Sequence, residues 1–425
     1  MYSLHLSAEQ LEIRDTVRDF VARELKPVAL ASDRLEARER PLLLDQLDQA
    51  SQLGLRALTL SESAGGAGAD NLTCCIVVEE LAAGDPDVAA VLAQTWRLAR
   101  VLFDRLMTQV QRDRFLPEFL ADPRCHLAHA REEPDADAAL GIHYHRPHAA
   151  DAGRKTTAVR SGDSWILNGT KHRVVNVPLA KLFAVEAATT APGAGKDVGR
   201  DAGKDAGNGA STILVPRDSP GLSVEIDDPG MHRQHGACGR LILRDCRVPA
   251  ENLLGSQGQS TLSAEIGLCG AQELALNLGI GRAAYEAALD YAQLRVQGGR
   301  RIIEHQAIGA KLAEIATRLQ VARTAIWQAA WACDHPAAFA DRSLPDLPLA
   351  RIARLYASQA IYHATKDAAE CFGAMGVMRD MPLAKYVHDA LICLHSGETD
   401  SDTRLHIAEA IAGYRRAPAN LVWRI

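Results

Sequence analysis

The stretch Thr156-Thr-Ala-Val-Arg-Ser-Gly-Asp-Ser-Trp-Ile-Leu-Asn-Gly169 decides the fold class. Two short runs within it, Thr156 to Arg160 and Ser164 to Leu167, carry the β-branched and aromatic residues that suit a pleated surface. Asn168-Gly169 follows, and this pair predicts a hairpin turn because both residues accept a positive φ. More strand-like runs cover 182–186, 211–215, 222–226 and 240–243. Residues 125–250 therefore read as a middle β-barrel-like domain. Within it, 191–210 repeats Gly, Lys or Arg, and Asp, with no apolar side chain larger than Val. Such a segment cannot repay its own ordering and is expected to be a disordered insert.

On both sides the periodicity becomes helical. Ser7 followed by Gln10 is a capping-box pattern, and Ile13, Val17, Phe20, Val21 and Leu25 recur on one face until Pro27 breaks it. Helical patterns cover 42–56, 71–83 and 87–120, then 260–294, 305–335, 347–372 and 402–415. The chain thus reads as mainly α with a middle β-domain. A helical domain spans 1–124 and a helical bundle spans 251–425. Phe and Tyr together number only fifteen. The helices are rich in small residues such as Ala, which permits close helix packing.

Composition narrows the function. The 425 residues carry 47 Lys plus Arg against 53 Asp plus Glu, a net charge of −6, which argues against a generic nucleic-acid or anionic-membrane binder. No run is apolar and long enough for a membrane span, and the polar first ten residues do not read as a signal peptide. Nine cysteines are scattered without a CxxC pair, which predicts reduced thiols in a cytoplasmic protein. Ser61-Glu-Ser-Ala-Gly-Gly-Ala-Gly68 is glycine-rich. It lacks the Lys-Ser/Thr of a P-loop and the preceding strand of a dinucleotide fingerprint, so it reads first as a turn. His143, His145 and His148 have chelating spacing, but no carboxylate or Cys completes a site, so no metal is expected.

Several motifs, in order along nearly the whole chain, resemble the acyl-CoA dehydrogenase family. They are Gly65-Gly66-Ala67-Gly68 with Glu79-Glu80-Leu81, Glu133-Pro134, Leu167-Asn-Gly-Thr-Lys171, and Arg247-Val-Pro-Ala-Glu-Asn-Leu-Leu-Gly255. Arg295, Gly298, His305 and Gln306 then fall in an Arg-x-x-x-Gly-x-x-Ile-x-x-His-Gln pattern, and Glu370-Cys-Phe-Gly-Ala-Met-Gly376 precedes Pro382 and Asp389-Ala390. The resemblance implies the helical/β/helical architecture, bound FAD and an acyl-CoA thioester substrate undergoing α,β-dehydrogenation. It also implies electron transfer to an electron-transfer flavoprotein, and a homo-dimer or tetramer with FAD at a subunit interface. Carried over residue by residue, it implies cofactor contacts at Arg295, Gln306, Gly373, Ala374, Gly376 and Thr399. Such chemistry needs a general base over the α-carbon and hydrogen bonds to the thioester carbonyl.

The departures are as informative. In His395-Ser-Gly-Glu-Thr399 the position of the usual catalytic Glu holds Gly397, and Arg404 downstream stays in register. Glu398 is adjacent, and becomes the base only through a local backbone adjustment. The alternative base position on an earlier helix holds Cys269, followed by Gly270 where the family keeps an Arg. Glu265 and Glu273 stand one turn to either side, and Glu273 can face a cavity. Arg173 replaces the Trp that packs by the flavin; it would stabilise an anionic reduced form or face solvent. Glu132-Glu133-Pro134 and Asp135-Ala-Asp-Ala-Ala139 replace a hydroxyl- and glycine-rich surface with acidic side chains that repel phosphate. Three readings follow. One is a flavoenzyme acting on acyl-CoA by a non-standard arrangement. Another is a catalytically degenerate subunit in a mixed oligomer with an active homologue. The third is an FAD-free scaffold or CoA-thioester binding module.

Overall fold

A computed structural model describes residues 5–35, 41–134, 155–189, 209–226, 236–267, 270–378, 380–394 and 400–413. The first helix, α1 (Ala8–Phe20), opens on the expected capping box: the Ser7 hydroxyl accepts from the Gln10 N–H, and the Gln10 side chain accepts from the Ser7 N–H. Pro27 does not end this run. The path continues through a π-helical turn (Val21–Leu25) into α2 (Lys26–Ala29), and the wider i→i−5 turn, with Lys26 N–H on the Val21 carbonyl, accommodates Pro27.

Next come α3 (Leu44–Gln52), α4 (Asn71–Gly84), α5 (Pro86–Ala99) and α6 (Gln109–Ala121). The single helix expected over 87–120 is two. A π-helical segment (Arg100–Leu106) ends the first, and a Thr108–Gln111 capping box restarts the chain as α6. The glycine-rich loop is a packed turn. A Cβ at Gly66 would lie 2.4 Å from the Leu60 carbonyl oxygen, so glycine is required there by close packing within the chain.

The middle part is an eight-stranded sheet: β1 (His126–Ala130), β2 (Thr157–Ser161), β3 (Ser164–Val175), β4 (Ala180–Ala188), β5 (Ala210–Pro216), β6 (Leu222–Ile226), β7 (Cys238–Pro249) and β8 (Leu253–Leu254). Its order is β6-β7-β3-β2-β4-β5-β8, with β1 added in parallel to β4. Asn168-Gly169 is not the hairpin turn. That turn is Gly162-Asp163, since Ser161 pairs with Ser164 and Gly162 takes φ +58°. Asn168 and Gly169 lie inside β3 at an irregularity, where Asn168 bonds Asp245 and a Cβ on Gly169 would strike Thr156. Most of the expected insert falls outside the described residues; Ala210 is already part of β5.

After the sheet come α7 (Leu262–Gly267) and α8 (Ala271–Leu294). A two-stranded hairpin, β9 (Val296–Gln297) and β10 (Arg300–Arg301), then leads to α9 (Gln306–Asp334), α10 (Ala337–Ala340) and α11 (Leu349–Cys371). The chain closes with α12 (Leu383–Leu394) and α13 (Asp400–Ala412). The run read as one helix over 260–294 is therefore two, so Glu265 and Glu273 stand on different helices. No described helix is long and apolar enough to cross a membrane. Cys125, Cys246 and Cys371 are free thiols; Cys269 lies outside the described residues.

Helices from before and after the sheet share one core. Residues such as Val77, Leu81 and Leu92 pack with Leu278, Ile280, Ile315 and Ile361, all almost fully buried. The tightest seam is α4 on α8. At Gly279 a Cβ would lie 2.4 Å from the Glu79 carbonyl oxygen, so α8 reaches α4 backbone to backbone. Beside this contact sit two buried carboxylates. Glu79 meets Arg323 Nη2 at 2.6 Å and Arg282 Nε at 3.4 Å; Glu80 meets Arg18 Nη2 and Arg282 Nη2 at 2.7 Å each. Burial alone would raise the Glu80 pKa, but the Arg18 and Arg282 guanidiniums outweigh it and hold it below the ordinary carboxylate value.

Gly279→Ala tests this seam. The alanine gains about 1 kcal/mol of helix propensity but forces two backbones apart, and a net loss of about 1–2 kcal/mol is expected. Urea unfolding should show a lower midpoint; an unchanged or higher midpoint would contradict the close approach.

Candidate active site

β1 leaves the end of α6 and runs between α5 and β4, so its last residues emerge where the first helical part, the sheet and the N-terminal end of α8 meet. A cavity of about 400 Å³ opens there, within the size range of small-molecule sites. It is lined by Gln94 and Arg97 of α5, His129, Arg131 and Glu132 at the end of β1, Arg173 and Val175 of β3, Ser263 and Ile266 of α7, and Gly270 and Glu273 at the start of α8. Three guanidiniums face two carboxylates, leaving one positive charge in excess.

Arg173 enters this lining through a distorted strand. β3 slips register against β7 between Lys171 and Val174, and Arg173 takes φ +49°, a left-handed conformation that is costly outside glycine. Such a bulge re-aims a side chain. Arg173 Nε then lies 2.8 Å from Glu132 Oε2. Glu133, next along, turns inward. Its Oε1 meets the fully buried Lys171 ammonium at 2.7 Å, and its two oxygens accept from the backbone N–H groups of Lys155 and Thr156. Burial would raise its pKa, but Lys171 and these amides hold it below the usual carboxylate range. Glu132 and Glu133 are thus matched by cations and present no bare negative charge to a phosphate. Asp135 to Ala139 lie outside the described residues.

Behind the lining is a second buried acid. Glu186 of β4, 1% exposed, receives His129 Nε2 at 2.9 Å on Oε1 and the Ser263 hydroxyl on the same oxygen. A carboxylate at this depth requires such partners. The sequence reading passed over it. The signal is one Glu within β4, a strand otherwise apolar except for Lys181, and His129 within Leu127-Ala-His-Ala130.

Of the two acids flanking Cys269, Glu273 lines the cavity, with Oε1 3.3 Å from Arg97 Nη1. Glu265 does not; it pairs with Arg105 at 2.7 Å on the outer side of α7. Gly270 caps α8, and a Cβ there would meet nothing within 4 Å, so the missing side chain leaves open space at the cavity mouth. Gly397, Glu398 and Thr399 lie outside the described residues, as do Cys269 and the histidines at 143, 145 and 148. Among the described residues no group of three or more His, Cys, Asp or Glu is placed to hold a metal ion.

The remaining cofactor candidates gather elsewhere. Arg295 ends α8, Gln306 begins α9, and Gly373, Ala374 and Gly376 form the 3-10 turn after α11. Arg295, Gln306, Gly373 and Ala374 are exposed, and the Arg295 guanidinium has no partner among the described residues. Gly376 is buried, where a Cβ would meet the Ala369 carbonyl oxygen at 2.3 Å, so its close approach is internal to the chain. The 24 residues of α8 place this set roughly 36 Å from the cavity. The candidate residues of one chain therefore stand in two separate places. The guanidinium donors of the cavity fit the carbonyl acceptors of a flavin ring, and the free Arg295 fits a pyrophosphate.

The comparisons agree with this architecture. The family description "Acyl-CoA dehydrogenase, N-terminal domain" matches residues 7–122, and "Acyl-CoA dehydrogenase, C-terminal domain" matches 271–412. An acyl-CoA dehydrogenase of Bacillus subtilis (strain 168) is 29% identical over 416 residues, covering 96% of this chain and all of that protein. Butyryl-CoA dehydrogenase from Megasphaera elsdenii superposes with a TM-score of 0.78 at 24% identity, covering 97% of this chain and 100% of its own, a likeness of fold. The prolyl acyl carrier protein oxidase AnaB superposes with a TM-score of 0.75 at 25% identity, covering 96% and 100%.

The Lys171–Glu133 pair makes a testable prediction. Lys171→Met leaves a largely buried carboxylate without its cation and should cost about 3 kcal/mol at pH 7. The wild-type pair stabilises above the ordinary carboxylate pKa and loses this contribution as pH falls through the depressed value. The variant's deficit should therefore narrow below about pH 4, where protonation removes the unpaired charge. Urea midpoints at both pH values check this, and a deficit that is absent or independent of pH would contradict it.

Proposed function

The chain belongs to the acyl-CoA dehydrogenase family, and on that premise we propose that it is a flavoprotein acting on an acyl thioester in the cavity between α5, β1, β3 and α8. The observation that carries this reading is the convergence of charged and polar side chains from all three parts of the chain on one cavity. FAD, when bound, supplies the hydride acceptor. Arg173, Arg131 and Arg97 would face its ring. Arg295, Gln306 and the Gly373–Ala374 turn would serve the pyrophosphate and adenosine portion, with Thr399 as a further flavin contact. Because these sets stand at opposite ends of α8, each full cofactor site would draw on two chains, in a homo-oligomer or a mixed one.

The protein's own part is to orient the acyl chain, exclude water and move the α-proton. Two acids come to the base role from the family resemblance. Glu398 stands beside Gly397. Glu273 reaches the cavity, where its Oε1 is engaged by Arg97 Nη1 at 3.3 Å. An electron-transfer flavoprotein would accept the electrons if the reaction is a net dehydrogenation. One observation favours a second reading, a subunit supplying cofactor-site walls to an active homologue: the exposed Arg295 and Gln306 face away from this chain's own cavity.

A visible spectrum separates these readings. The purified protein should show flavin bands that shift or bleach on anaerobic addition of butyryl-CoA or a related acyl thioester. Flavin acquired only on co-expression with an active homologue would favour the second reading. A flavin-loaded protein indifferent to every acyl thioester would contradict both.

A further inference from the structure

We propose that His129, oriented by the buried Glu186 and by Ser263, is the proton-transfer group of this cavity. The inference rests on the acyl-thioester reading above and names a residue that neither the family resemblance nor the motifs single out. Its basis is geometric. His129 Nε2 lies 2.9 Å from Glu186 Oε1, and the same oxygen accepts the Ser263 hydroxyl. A buried carboxylate that receives Nε2 fixes the tautomer with the proton on that nitrogen. Nδ1 then keeps its lone pair, and it has no partner among the described residues. His129 and Ser263 both line the cavity, while Glu186 sits 1% exposed behind them.

This arrangement couples an acid, an imidazole and open space, the geometry that general-base catalysis by histidine requires. The competing acids of the cavity are tied down: Glu132 to Arg173 and Glu273 to Arg97. His129 Nε2 is turned toward the buried Glu186 carboxylate. Other charged groups line the cavity with it: Arg97 from α5, Arg131 and Glu132 just past the end of β1, Arg173 from β3 and Glu273 from α8. The guanidiniums favour a developing enolate on the substrate.

The step balances without an external oxidant. The α-carbon–hydrogen bond breaks, the proton forms an N–H bond on Nδ1, and the electron pair passes into the thioester carbonyl as an enolate. Return of a solvent-derived proton restores the thioester. The readout is therefore exchange of the α-hydrogen for deuterium, which requires no turnover of the cofactor.

The experiment uses the flavin-loaded protein with butyryl-CoA in deuterated buffer under anaerobic conditions. NMR follows exchange, and the flavin difference spectrum reports binding. Wild type is expected to bind and exchange. His129→Gln should still bind but exchange about 10²-fold more slowly or less, and added imidazole should restore exchange in His129→Ala. Glu186 is a positioning residue; Glu186→Gln should bind butyryl-CoA with unchanged affinity but exchange the α-hydrogen more slowly, because the ring loses the partner that orients it. Wild-type exchange in a folded, binding His129→Gln overturns the proposal. So does loss of exchange in Glu398→Gln or Glu273→Gln while His129→Gln keeps it, and so does wild type that binds without exchanging. Failure of wild type to bind any acyl thioester overturns the underlying reading as well, which separates the two failures.

Discussion

The site depends on the contact between α4 and α8. Gly279 lets the two backbones touch, and Glu79 and Glu80 convert that touch into a fixed register by engaging arginines from α1, α8 and α9. Helix packing by small residues alone permits sliding; paired buried charges penalise it, because a displaced carboxylate is left uncompensated. The Trp96 indole N–H donating to Gln272 at 2.9 Å adds a second pin near the start of α8. Together they set the height at which Gly270 and Glu273 arrive over the end of β1. The cavity exists because a helix from one end of the chain is locked against helices from the other, with the sheet carried between them.

Much of this was legible from residue patterns, and the exceptions have physical causes. The capping box at Ser7 and the positions of most helices follow from local chemistry, which a sequence displays directly; the Thr108 box lies inside the run that reads as one helix over 87–120. Asn168-Gly169 misled because its glycine answers a tertiary need, the proximity of Thr156, while Gly162-Asp163 makes the turn. α12 was not read, although Lys385 and Asp389 stand one turn apart; both are fully buried and form an ion pair at 2.9 Å, which masks the usual polar-outside pattern. The His129–Glu186–Ser263 cluster joins three elements up to 134 residues apart, and no local pattern announces it.

The substitutions that distinguish this chain act in a common direction. Arg173 brings a charge where the resembled family keeps an aromatic ring, and Gly270 removes one where it keeps an arginine. The cation has moved from the mouth of the cavity toward the sheet, where Glu132 holds it.

The central claim is that this cavity, and no other surface, receives the acyl thioester. Gly270→Phe tests it most directly. A Cβ there meets no described atom within 4 Å, so folding should be unaffected, as circular dichroism would show, yet the ring would occupy the cavity mouth. Calorimetric titration with butyryl-CoA should then show affinity reduced at least about tenfold, a loss of roughly 1.4 kcal/mol or more. A folded variant that binds as tightly as wild type would contradict the account.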